Sequence, residues 1–161
     1  MAKESIKIIG INPGTRYLGI AILSGQDLLD WRIKTLGGPW SEEKIRKTVE
    51  IVSDLIEQYK PNVLVIKKLH PSRRTENLLR LTDKIKSIAR CKDLKVYKYS
   101  IKYIEDHFIR DNKLNRRNLI KEIVKLYPIL YHDLENEQRH RNQYYSRTFE
   151  AVALAAAHSQ K

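Results

Sequence analysis

Two apolar runs separated by a short turn open the chain, and they constrain its fold more than any other segment. The runs cover residues 5–11 and 16–23, and Pro13 and Gly14 lie between them. Apolar runs on either side of a Pro-Gly turn predict a β-hairpin. One polar residue, Asn12, ends the first predicted strand, so we expect its side chain at the end of a sheet. A metal-dependent site at that place would need a carboxylate rather than an amide.

The following segments predict alternating strands and helices. Strands are predicted at residues 28–36, 63–66 and 94–99, and helices at 41–59, 73–90, 101–109, 115–127 and 146–158. The run 63–66 is wholly apolar, which is typical of a central strand that is covered on both faces. The polar, aperiodic stretch 132–145 predicts a loop. We therefore expect a single α/β domain over residues 1–161, with a five-stranded mixed sheet, its first three strands antiparallel, and helices on both faces.

The net charge of the chain points to a polyanionic partner. Its 31 Lys and Arg residues outnumber 19 Asp and Glu residues, giving a formal charge of +12. Between Lys67 and Lys102 there are twelve Lys and Arg residues against three Asp and Glu residues, a local charge of +9. Nucleic acid is the commonest polyanion that such a basic segment binds.

Other features of composition bear on the cellular compartment. No run of about 18 apolar residues occurs, so we expect no membrane-spanning helix and no membrane partner. The first residues lead straight into a predicted strand and leave no room for a signal peptide. The one cysteine, Cys91, cannot form an internal disulfide, which fits a reducing compartment. These features predict a cytoplasmic protein.

Three motifs resemble one known family. They are the Gly-Ile-Asn-Pro-Gly-Thr turn of the hairpin, the Val-Leu-Val-Ile strand followed by two lysines, and the closing helix Glu-Ala-Val-Ala-Leu-Ala-Ala-Ala-His. Together with the order of elements, they resemble the RuvC-like branch of the ribonuclease H-like fold, whose members are Holliday junction resolvases. The resemblance covers nearly the whole chain. It implies nucleic acid as the partner, DNA rather than RNA, and a homodimer.

Active members of that family hold divalent metal at four acidic positions. By the resemblance, these positions fall on Asn12, Lys67, Arg147 and Glu150, so one carboxylate of four remains. An ammonium about 4 Å from a dication would repel it by roughly 8 kcal/mol at an effective dielectric constant near 20. Mg²⁺ also needs oxygen ligands, mostly carboxylates. We therefore expect no metal site, no cofactor and no catalytic residue that is active by the family mechanism.

The loss of acidic residues leaves a basic surface that could still bind nucleic acid. Its members follow the fourth predicted strand and continue onto the second predicted helix: Lys67, Lys68, His70, Arg73, Arg74, Arg80 and Lys84. Lys and Arg contacts to phosphate give sequence-independent, salt-sensitive binding. The leading hypothesis is a catalytically degenerate RuvC-like protein that binds branched or structured DNA through a basic cleft.

Two alternatives remain open at this point. The first is an active, metal-dependent Holliday junction endonuclease whose ligands have moved, for example to Asp30, Glu76 or Asp106, and only this alternative would need Mg²⁺. The second is a protein-interaction or assembly subunit whose basic face meets an acidic protein.

Overall fold

A five-stranded mixed sheet forms the centre of the protein. The computed structural model describes residues 5–140 and 146–161. The strands are β1 (Lys7–Asn12), β2 (Tyr17–Ser24), β3 (Asp27–Thr35), β4 (Val63–Lys67) and β5 (Lys95–Tyr99). Their order is β3-β2-β1-β4-β5; β1, β2 and β3 pair antiparallel, whereas β4 pairs parallel with both β1 and β5. The predicted sheet, including its antiparallel first three strands, is confirmed.

Six α-helices surround this sheet in the described residues. They are α1 (Glu42–Tyr59), α2 (Glu76–Cys91), α3 (Ile101–Phe108), α4 (Arg116–Leu126), α5 (Tyr131–His140) and α6 (Ser146–Ser159). Two short 3-10 helices, Pro71–Arg73 and Pro128–Leu130, precede α2 and α5. Across the described ranges, every helix is too short or too polar to cross a bilayer.

Two predicted boundaries were wrong. The second helix begins at Glu76 rather than at residue 73, because the hydroxyl of Thr75 accepts the hydrogen bond from the Leu78 amide and caps the helix there. The predicted loop at 132–145 is helical up to residue 140, while residues 141–145 lie outside the described part. Tertiary contacts favour this helix: Trp31 Nε1 donates to Asp133 Oδ2 at 2.8 Å, and Leu134 packs against the core.

The sheet is covered by helices on both faces, as predicted. Successive side chains of a strand point to opposite faces. Ile9 and Ile11 of β1 accordingly join a cluster with residues of α1 and α2, whereas Ile8 joins a second cluster with residues of α3, α4 and α6. Burial of both faces explains why β1 and β4 are almost wholly apolar. The polar residues Lys7, which begins β1, and Asn12 and Lys67, which end the two strands, are the exceptions.

Helix α6 packs unusually close to the sheet, and two glycines make room for it. A Cβ at Gly10 of β1 would overlap the Ala151 carbonyl oxygen and lie 3.1 Å from Ala155 Cβ. At Gly19 of β2 it would overlap the Arg147 carbonyl oxygen. Residues 151–157 of α6 are all buried, and five of them are alanine. This close approach brings the first turn of α6 next to the end of β1.

Gly10→Ala is therefore expected to lower the free energy of unfolding by about 2 kcal/mol, because the added methyl meets backbone that cannot move independently. Gly37→Ala is the matched control, since no atom lies within 4 Å of a Cβ at Gly37. Urea unfolding of both variants measures the difference. Equal stabilities would show that α6 is not packed against β1 at Gly10.

Candidate nucleic-acid interface

Asn12 and Lys67 meet at the carboxyl ends of two neighbouring parallel strands. In the register of β1 and β4, Ile11 pairs with Ile66, so the next residue of each strand reaches the same edge of the sheet. Glu150, in the first turns of α6, faces them across this edge. The Asn12 side chain is fully buried, and that of Glu150 is 2% exposed. Three of the four positions named by the resemblance thus come together in the fold.

Glu150 is the centre of a network that engages both of its carboxylate oxygens. Its Oε2 accepts hydrogen bonds from Asn12 Nδ2 at 2.5 Å and from Lys67 Nζ at 3.0 Å. Its Oε1 accepts from Arg116 Nε at 3.2 Å. The buried carboxylate therefore has two cationic partners on different elements, β4 and α4. This arrangement neutralises Glu150 with protein groups.

Arg147, the fourth position, lies over the hairpin turn. Its guanidinium Nη1 donates to the Pro13 carbonyl oxygen at 3.5 Å, and its own carbonyl oxygen accepts from Asn12 Nδ2 at 3.4 Å. A side chain at Gly14 would come within 2.9 Å of the Arg147 guanidinium, so the turn is shaped around this residue. Arg147 places positive charge at the position where the resemblance predicts an acidic side chain.

The sequence did not identify two further residues of this network. Arg116 opens α4, and Glu105 lies on α3, both far along the chain from β1. Burial and the nearby charge of Glu150 raise the pKa of Glu105, and the opposite charges of Arg116 and Lys67 offset this rise only in part. The relocated ligands considered from the sequence were Asp30, Glu76 and Asp106. Among the described residues, none of these three is shown near Glu150, whereas Glu105, adjacent to Asp106, is close enough to Glu150 for its pKa to respond to that charge.

An open cleft of about 570 Å³ lies above the network, and its charged lining is cationic. The lining includes Asn12 and the two cations that bind Glu150, Lys67 and Arg116. It also includes five further basic side chains: Lys68, His70, Arg74, Lys102 and Arg147. No Asp or Glu occurs among the described lining residues. Four residues of the predicted basic surface line the cleft, from the end of β4 and the segment before α2, and Lys102 and Arg116 add to them; their contact with nucleic acid stays a prediction.

The other residues of the predicted basic surface lie in different surroundings. Arg80 and Lys84 are exposed on α2 outside the lining of the cleft, and Arg80 forms an ion pair with Glu42 of α1. The backbone of Arg73 ends the short helix after Pro71, but its side chain lies outside the described part. A contact of these three residues with nucleic acid stays a prediction.

The residues at the family's metal positions do not fit a divalent cation. Both oxygens of Glu150 already bind cations of the protein, and an Mg²⁺ ion placed there would approach the Lys67 ammonium. Asn12 Oδ1 is buried without a hydrogen-bond partner in the described part of the chain, but it is a single neutral oxygen. Within residues 5–140 and 146–161, no three His, Cys, Asp or Glu side chains form a group that could hold a metal ion.

The mixed five-stranded sheet, with its order β3-β2-β1-β4-β5 and helices on both faces, matches the RuvC-like fold. RuvC from Thermus thermophilus superposes with a TM-score of 0.77 over 96% of this chain and 93% of that structure, at 13% identity. The same protein in complex with a Holliday junction substrate gives 0.75. The yeast mitochondrial Holliday junction resolvase Ydc2 gives 0.69 over 99% of this chain and 80% of that structure, at 8% identity.

Similarity in sequence leads to the same group. The chain is 28% identical over 114 residues to the crossover junction endodeoxyribonuclease RuvC of Idiomarina loihiensis. The match covers 63% of this chain and 64% of that protein, slightly less than two thirds of its length. No family model matches the chain. The resemblance to RuvC-like resolvases is confirmed by sequence similarity and by fold.

Proposed function

We propose that this protein binds branched or structured DNA through the cleft and that it has lost the metal-dependent nuclease activity of its relatives. One observation carries the proposal: the described lining of the cleft contains basic side chains and no carboxylate. A groove of one charge sign attracts a polyanion and raises its local concentration. The relatives of this chain include a RuvC described in complex with a Holliday junction, which favours DNA with a branch as the ligand.

The loss of nuclease activity is supported by the network around Glu150. In two-metal catalysis, carboxylates hold the cations that stabilise the attacking and leaving oxygens of the phosphodiester. Here the corresponding positions carry an amide, an ammonium and a guanidinium, and Glu150 is neutralised internally. The same substitutions make the floor of the cleft attractive to phosphate without a metal ion.

Binding is expected to weaken steeply with salt, because cationic side chains that contact phosphate displace condensed counterions. Fluorescence anisotropy with four-way junction, duplex and single-stranded probes, at several salt concentrations and with EDTA present, measures the effect. Lys68→Ala and Arg74→Ala each remove one cation of the cleft. Each should reduce the magnitude of the negative slope of log K against log salt concentration by about 1. An affinity that does not respond to salt would contradict the proposal.

Two controls locate the binding surface. Lys60→Gln removes an exposed lysine that precedes β4, at the opposite end of that strand from Lys67, and should leave the slope unchanged. Lys84→Ala tests the exposed face of α2 outside the cleft. If Lys84→Ala changes the slope more than Arg74→Ala does, DNA binds to the exposed face of α2 rather than in the cleft.

The alternative of an active junction endonuclease has one observation in its favour, the proximity of Glu105 to Glu150. A metal ion held by Glu105, Glu150 and the amide of Asn12 would then have to displace Lys67 and Arg116 from Glu150. Incubation of labelled four-way junctions with Mg²⁺ or Mn²⁺ tests this alternative. If the protein cleaves the junction and a folded Glu105→Gln variant does not, the proposal that nuclease activity has been lost is wrong.

The remaining expectations are part of the same proposal. A homodimer is inferred from the resemblance to RuvC-like proteins, and size-exclusion chromatography with light scattering measures it. A cytoplasmic location is inferred from composition and from the single cysteine, Cys91, which is exposed in the structure. A role as an assembly subunit would be favoured by tight binding of an acidic protein together with no measurable binding of DNA.

A further inference from the structure

A second cavity, about 800 Å³ in volume, borders the hairpin turn next to the cleft. We call it the Trp40 groove. It lies between the hairpin turn, the segment that joins β3 to α1, and the start of α2, and the residues used here are Thr15, Arg16, Trp40, Lys44, Thr75 and Asn77. Thr15 lines both cavities. The two cavities are therefore adjacent at the hairpin turn.

The charged residues of the Trp40 groove have the same sign as those of the cleft. Arg16 is exposed, Lys44 is 8% exposed, and no Asp or Glu occurs among the described lining residues. The Lys44 ammonium donates to the Thr15 carbonyl oxygen at 3.1 Å, and no carboxylate of the described residues forms an ion pair with it. Lys44 also lines a cavity with three carboxylates, but none of them forms an ion pair with its ammonium, so an anionic ligand of the Trp40 groove would supply a direct counter-charge.

Trp40 adds a flat aromatic surface beside these cations. Its side chain is half-buried, packs on the core cluster beneath α1, and lines the groove. Basic side chains combined with an aromatic ring are the pattern that binds single-stranded nucleic acid, in which bases stack on the ring and phosphates meet the cations. An acidic peptide would satisfy the cations but would leave the ring without a stacking partner.

We propose that the Trp40 groove binds an unpaired nucleotide of a strand that continues from the cleft, with Trp40 stacked on the base and Arg16 and Lys44 facing the phosphate. This inference rests on the proposed function, since the strand reaches the groove through the cleft. It adds a preference for DNA that carries unpaired bases next to a branch.

The intrinsic fluorescence of the protein tests this inference. The chain has two tryptophans, so Trp31→Phe leaves Trp40 as the only tryptophan, and Trp40→Phe leaves Trp31. Trp31 is held by its hydrogen bond to Asp133 and does not line the groove. Titration with oligothymidylate and with a four-way junction bearing a single-stranded arm should quench Trp40 in step with the anisotropy of the probe. Trp31 should not respond.

Affinity measurements provide the second readout. Trp40→Ala is expected to weaken binding of the junction with a single-stranded arm about tenfold, and Arg16→Ala about fivefold, while binding of a blunt duplex changes less than twofold. Arg16 is exposed, so Arg16→Ala gives an answer even if Trp40→Ala unfolds. Lys60→Gln serves again as the control for the loss of one positive charge.

The outcomes separate this inference from the proposed function. Salt-sensitive binding of DNA without quenching of Trp40, and with full affinity of Arg16→Ala, would overturn the Trp40 groove as a nucleotide site and leave the cleft intact. No binding of any DNA would overturn both. Quenching by an acidic peptide but not by oligothymidylate would assign the groove to a protein partner and overturn the inference.

Discussion

Glu150→Ala is expected to lower the free energy of unfolding by about 3 kcal/mol and to raise the affinity for DNA several-fold. The stability falls because removing the carboxylate leaves Lys67 and Arg116 facing each other with no counter-charge. Removing one partner of a buried ion pair typically costs about 3–5 kcal/mol, and the partial solvent exposure of both cations places this case at the lower end. The affinity rises because the same two cations become available to phosphate.

A double-mutant cycle identifies the cause. If the cost comes from the unpaired cations, Lys67→Met should restore much of the stability of Glu150→Ala, whereas in the wild-type background Lys67→Met should be destabilising. Glu122→Ala on α4 is the control, because its ion pair with Lys125 is exposed and should be worth less than about 1 kcal/mol. Additive effects of Glu150→Ala and Lys67→Met would show that the network does not act as a unit.

The sequence predicted the parts of this protein that depend on local pattern. The hairpin and the apolar β4 have patterns typical of strands, and the alanine-rich composition of α6 suits a helix that packs closely on a sheet. The packing of these elements fixes the relation of Asn12, Lys67 and Glu150. Once β1 and β4 pair in parallel, the residues that end them must be neighbours. This explains why Asn12 and Lys67 meet, and the close packing of α6 on β1 and β2 brings Glu150 to them.

The sequence could not predict contributions that depend on how distant elements pack. Arg116 and Glu105 lie on α4 and α3, helices that reach the end of β1 only by folding against α6. In the sequence they are ordinary charged residues of amphipathic helices. Helix α5 was missed for the same reason, because its helical state depends on contacts of Asp133 and Leu134 with the rest of the protein.

The double substitution Asn12→Asp with Lys67→Glu should convert the network into one that depends on divalent metal. It adds two carboxylates beside Glu150 and removes one ammonium, which makes this end of the sheet more negative by three charges. Without metal, these carboxylates repel one another at short range, since in the wild-type structure Asn12 Nδ2 lies 2.5 Å from Glu150 Oε2. We therefore expect a marked loss of stability and weaker DNA binding in EDTA.

Addition of Mn²⁺ or Mg²⁺ should restore the stability of this variant, by about 2.7 kcal/mol when the metal is present at a hundred times its dissociation constant. The wild-type protein should show no such response, because Lys67 and Arg116 already neutralise Glu150. The control is Lys60→Glu with Asn62→Asp, which makes the same change of charge at the opposite end of β4, where both side chains are exposed. Thermal unfolding across a metal titration compares the three proteins. A metal-dependent rise in melting temperature of the wild type, equal to that of the double variant, would show that the native network already binds the cation and that Lys67 does not replace it.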